Sequence, residues 1–146
     1  MYKIAASLVL LSIVAASWAY TDCGSEVGTI SDVEVSDCVE GKRCILKRNT
    51  NVTLKIIFTP KGDSDTLKAV VHGEILGVPM PFDLPNPDGC KDSGVTCPLK
   101  AGQTYTYINA LPISPHYPRV TVDVKWELQL SNDEDAACAK IPAKIA

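Results

Sequence analysis

The chain has 146 residues, 46% of them hydrophobic and 21% charged, with a formal net charge of −3. A mildly acidic chain without a basic stripe excludes a nucleic-acid partner and strong attachment to anionic membranes. Its length suits one domain with a core of its own.

The first residues carry one charge, Lys3, then an apolar run from Ile4 to Ala16 and the small-residue segment Ser17-Trp18-Ala19. This pattern predicts a secretory signal over 1–19, too short to span a bilayer, followed by a single domain over 20–146. Removing Lys3 with the signal moves the net charge from −3 to −4.

Short strands follow, separated by turns. The spacing predicts strands at Val27 to Val35 and Cys44 to Lys47, then a two-residue period at Val52, Leu54, Ile56 and Phe58. Leu67, Ala69 and Val71 repeat it, with Lys68 and His72 on the other face. Thr104 to Leu111, Val120 to Leu130 and Ala139 to Ile145 complete the series. The alternation is clearest in Val120–Leu130, where valines, Trp126 and leucines face one way and Thr121, Asp123, Lys125, Glu127 and Gln129 the other. Lys61-Gly62-Asp63-Ser64, Pro87-Asp88-Gly89, Lys100-Ala101-Gly102 and Ser131-Asn132-Asp133 supply turns. The expected fold is all-β, an immunoglobulin-like sandwich of seven to eight antiparallel strands.

Between Val70 and Cys90 the pattern changes to VVHGEILGVPMPFDLPNPDGC. Proline donates no ladder hydrogen bond, so this run must lie at a sheet edge or leave the sheet. Met80, Phe82 and Leu84 share one side of an extended chain and need a cover. A second oily, proline-spaced segment runs from Leu111 to Pro118. Such loops are uncommon on a monomer surface unless they touch something. Two of them at one end of a sandwich predict a dry cavity between the sheets and a greasy ligand.

Six cysteines in a chain carrying a secretory signal indicate disulfides. Spacing favours Cys38–Cys44 and Cys90–Cys97 as local bridges and Cys23–Cys138 as a bridge between the ends. With no Cys-x-x-Cys pair and only two histidines, a metal site is not expected. Asn51-Val52-Thr53 is a glycosylation sequon, and its parity turns Asn51 outward.

Catalytic signals are missing. Neither His72 nor His116 has a partner suggested by the sequence, Asn132-Asp133-Glu134-Asp135 lacks the spaced ligands of a calcium loop, and there is no phosphate loop or nucleophile elbow. We expect a monomeric binding protein without a cofactor, and not an enzyme.

The stretch Ala69 to Cys97, with its GVPxPFxLPxPDGC motif, together with TYTYINALPISPHYP and VKWELQL, resembles the Niemann-Pick C type 2 and ML lipid-recognition family, in its arthropod form. The resemblance extends from Asp22-Cys23-Gly24 to Ile141-Pro142. It implies a carrier, secreted or resident in the lysosomal lumen, that binds a hydrophobic small molecule between two sheets and passes it to a membrane or membrane protein. The family's disulfide connectivity matches the three bridges above. Its pocket-mouth residues fall on Phe82, Ile113 and Tyr117, with Met80, Pro112 and Trp126 lining nearby.

Two departures bear on the cargo. Ala139 stands where sterol carriers have an aromatic, and Met80 where they often have valine. A small residue and a flexible thioether imply a roomier, more adaptable pocket. Sterol is the leading ligand, and a long-chain fatty acid or other semiochemical the rival. A further alternative, glycolipid recognition in innate immunity, would use basic residues at the rim, for which Arg119 and Lys91 are the candidates.

Overall fold

The computed structural model describes residues 20–146 apart from Glu40; the predicted signal over 1–19 lies outside the described residues. Nine strands carry the fold, and no helix occurs among the described residues. They are β1 (Thr21–Asp22), β2 (Gly28–Val35), β3 (Cys44–Leu46), β4 (Thr50–Pro60), β5 (Lys68–Ile75), β6 (Val78–Pro81), β7 (Tyr105–Ile113), β8 (Thr121–Gln129) and β9 (Asp135–Ile145).

The sheets follow from alternation. Val122, Val124, Trp126 and Leu128 are buried on β8, as are Ala69 and Val71 on β5 and Leu54, Ile56 and Phe58 on β4. Each strand therefore has one dry face, and two sheets must meet to cover it. One has the order β1-β9-β8-β5-β6 and the other β2-β4-β7. β6 pairs only with β5, as its prolines require of an edge strand.

The expected antiparallel sandwich is present, with one short parallel pair added to it. β3 pairs with β9 in parallel, Cys44 opposite Ala143 and Leu46 opposite Ile145. β1 pairs with the same strand, antiparallel, at Lys140 and Ala139. These two fragments, too short to hold themselves, cover β9's outer edge in turn. Each adjoins a disulfide, Cys23–Cys138 for β1 and Cys38–Cys44 for β3; the third bridge is Cys90–Cys97.

The two ends of the sandwich differ. At one end the sheets close: the Val27 amide donates to the Asp135 carbonyl, and a Cβ on Gly28 would lie 2.0 Å from the Ala136 carbonyl oxygen. Only glycine permits that approach. At the other end stand the β5–β6 hairpin, the β3–β4 turn and the 114–120 crossover between sheets.

Candidate functional site

Phe82 leaves the edge strand with its amide donating to the Val71 carbonyl at 3.1 Å, which draws the ring over β5. Gly73 makes room for it. A Cβ there would lie 2.5 Å from Phe82 Cε2 and 2.9 Å from Val122 Cγ2. Across the gap, Tyr117 meets Phe82 edge to face, with ring centroids 5.2 Å apart and planes at 89°. The Asp83 amide donates to the Tyr117 hydroxyl at 3.5 Å. The two oily segments therefore touch through one aromatic pair.

This pair forms part of the wall of a cavity of ≈ 140 Å³, lined also by Gly73, Met80 and Val122. Deeper between the sheets is a second, of ≈ 20 Å³, lined among others by Leu54, Leu111, Val124, Trp126 and Ala143. The two lie in series along β8 and β9: Val122 and Ile145 border the outer one, and their inward neighbours Val124 and Ala143 the inner one. No charged side chain lines either. The inner space holds about one water and the outer one falls below the ~300 Å³ at which small-molecule sites usually begin. A lipid must widen the sheets to fit.

Of the residues expected at the site, Phe82, Tyr117 and Met80 line the outer cavity and Trp126 the inner one. Ile113 and Pro112 line neither. Ile113 turns inward but packs solidly at 1% exposure, while Pro112 is half-buried opposite Asn51 on the other face of β7. Asn51 itself is exposed. Ala139 is wholly buried opposite Trp126 and lines neither cavity. Lys91 is not at the rim. It borders a polar groove of ≈ 570 Å³ outside the sandwich with Asn86 and Asn109, whereas Arg119 is exposed beside Pro118.

Unanticipated lining residues include Gly73, Val122, Val124 and Ala143. The valines share Trp126's parity, and a glycine inside a strand signals a close approach. Tyr107 was also missed. Its ring packs against Trp126 at 6.1 Å, and burial pushes its hydroxyl up to about 12. The Asn109 amide, donating to that hydroxyl at 2.8 Å, partly offsets the effect. The Trp126 indole N–H lies beside the hydroxyl too, but outside hydrogen-bond geometry. No group of three or more His, Cys, Asp or Glu among the described residues has metal-binding geometry. The site offers an apolar space whose mouth is walled by Phe82 and Tyr117.

Comparison with known proteins agrees with this architecture. Residues 17–145 match the ML domain description. The ecdysteroid-regulated 16 kDa protein of Manduca sexta is 46% identical over 95% of this chain and 96% of its own. The NPC intracellular cholesterol transporter 2 homolog a of Drosophila melanogaster is 46% identical over 92% of both chains. The crystal structure of a Niemann-Pick type C2 protein from Japanese carpenter ant superposes with a TM-score of 0.82 at 37% identity, covering 87% of this chain and 98% of that one. The chain belongs to the ML domain family.

Proposed function

We propose that this protein is a secreted carrier that takes one sterol-like lipid between its two sheets, hydrocarbon inward past Phe82 and Tyr117 and polar head at the wet mouth. The observation that carries the reading is the pair of apolar cavities in series, the outer one walled by the Phe82–Tyr117 aromatic pair. The Drosophila relative is named as a cholesterol transporter, which supports sterol as the cargo. Three disulfides suit an oxidising, secretory environment. Burying roughly 400 Å² of ligand carbon at about 25 cal/mol/Å² yields on the order of 10 kcal/mol before association costs. Recognition is by shape and apolar contact, so no side chain needs an unusual charge state.

A long-chain fatty acid is the second reading, favoured by the narrowness of the inner cavity at ≈ 20 Å³. A single acyl chain needs less widening than a fused ring system. Trp126 is the only tryptophan beyond residue 19 and separates the two. Delipidated protein is titrated with a fluorescent sterol and with oleate while indole emission is followed. Saturable energy transfer at one sterol per chain, with weaker oleate competition, is the expected result. Saturation by oleate alone reverses the ligand assignment, and no saturation with either removes the carrier reading.

A further inference from the structure

We propose that Arg48 is the positioning residue that latches the pocket mouth and sets how fast lipid leaves, an inference that rests on the carrier reading above. Arg48 lies in the turn between β3 and β4, between Leu46 and Val52 of the inner cavity, and lines neither cavity itself. Its Nη1 donates to two main-chain carbonyls of the opposite lip, Pro115 at 3.3 Å and Tyr117 at 3.4 Å. The charge is not spent elsewhere: among the described residues no carboxylate forms an ion pair with it. The donor is charged, the two bonds are long, and the acceptors are backbone, so together they hold the path of the chain itself.

The turn is well anchored for this task. The Arg48 amide donates to the Ala146 carbonyl at 3.0 Å, and the Ala146 amide to the Leu46 carbonyl at 2.9 Å, tying it to the six-stranded sheet. The Asn49 amide donates to the Ile113 carbonyl at 2.6 Å, tying it to the three-stranded one. Asn49 adopts φ 65°, a left-handed conformation that asparagine tolerates, and Thr50 Oγ1 donates to the Lys47 carbonyl at 2.6 Å. One short turn thus joins both sheets at the end that must widen and reaches across to the lip that bears Tyr117. The Tyr117 ring in turn rests on Phe82. Outward movement of the lip breaks the two guanidinium bonds while leaving the sheet ladders intact. The latch therefore acts on the barrier to passage more than on the lipid's final contacts.

The test compares wild type, Arg48→Gln and Arg48→Lys by stopped-flow release of a fluorescent sterol to acceptor vesicles, by equilibrium titration, and by hydrogen exchange at the His116, Tyr117 and Arg119 amides. For Arg48→Gln, losing two bonds to a charged group predicts about tenfold faster release and faster lip exchange, with Kd changed less than about threefold. Arg48→Lys, which keeps a charged donor, recovers most of the slow release. Unchanged release and exchange in Arg48→Gln overturn the latch. So does a Kd rising in step with release while thermal stability falls, which marks a merely structural role. If the wild type takes up no sterol, the carrier reading fails; the exchange rates still report whether Arg48 holds the lip, and unchanged exchange refutes that hold on its own.

Discussion

Replacing Phe82 with alanine removes the ring that touches both lips and borders the outer cavity. Two costs can be separated from the structure. Folding loses the edge-to-face pair with Tyr117, about 1 kcal/mol, and a fraction of the 3–5 kcal/mol typical of a fully buried phenylalanine. For a half-buried ring the total is about 1–2 kcal/mol, a fall in Tm of about 4–10 °C. Binding loses roughly 60 Å² of apolar contact with the lipid, ~1.5 kcal/mol at 25 cal/mol/Å², so Kd rises about tenfold. Calorimetric melting gives the first quantity and sterol titration followed through Trp126 the second. A variant that loses stability but binds sterol with unchanged Kd would place Phe82 in the packing alone and refute the gate. A variant that cannot fold would return the residue to the core.

Gly73→Ala puts a methyl 2.5 Å from the Phe82 ring and 2.9 Å from Val122. Overpacking costs about 1–3 kcal/mol, and displacement of the ring should weaken sterol binding along with Tm; wild-type values for both would disprove the tight fit. Asp135, beside Glu127 on the β8–β9 bulge, has its carboxyl pushed up to about 7, chiefly by burial and then by the neighbouring Glu127 carboxyl. Since the folded protein holds this proton more tightly than the unfolded chain, Asp135's contribution to stability is greatest in acid and declines as pH rises from about 4 towards 7, opposite in sign to the contributions of Asp22 and Glu74, whose carboxyls are held below their usual range. Partial exposure limits the change to about 1–2 kcal/mol, and Asp135→Asn should flatten Tm between pH 5 and pH 8; an unaltered profile in that variant rules this pair out as the source. Cys23→Ser with Cys138→Ser opens a bridge spanning 115 residues, costing about 4–5 kcal/mol by the loop-entropy argument. A loss below ~1 kcal/mol in denaturant melts would contradict it.

The two-layer fold was legible because each long strand declares its dry face. Val122, Val124, Trp126 and Leu128 are inward because their parity leaves no other choice. The same rule does not say whether neighbouring strands run parallel, so the β3–β9 pairing had no sequence signal. Proline placed β6 at an edge, and the contact between the two oily segments followed from the need to cover them. Ile113 and Pro112 came from the resemblance and not from parity: Ile113 packs solidly inward, and Pro112 sits one step out of phase, on the other face of β7. Ala139 looked like a void because its neighbours' volumes cannot be read from one strand. Arg48 was out of reach for another reason: its bonds go to backbone carbonyls 67 and 69 residues away, and carbonyls leave no trace in residue type.

The central claim, that one lipid lies between the sheets with its tail inward, is tested most directly by contact quenching of Trp126 with brominated ligands. A sterol or fatty acid carrying bromine at its hydrocarbon end should quench the indole strongly and saturably at one ligand per chain, while the same lipid brominated near its polar head should not. Equal quenching by both, or saturable binding that leaves Trp126 untouched, would contradict the account and move the lipid out of the space between the sheets.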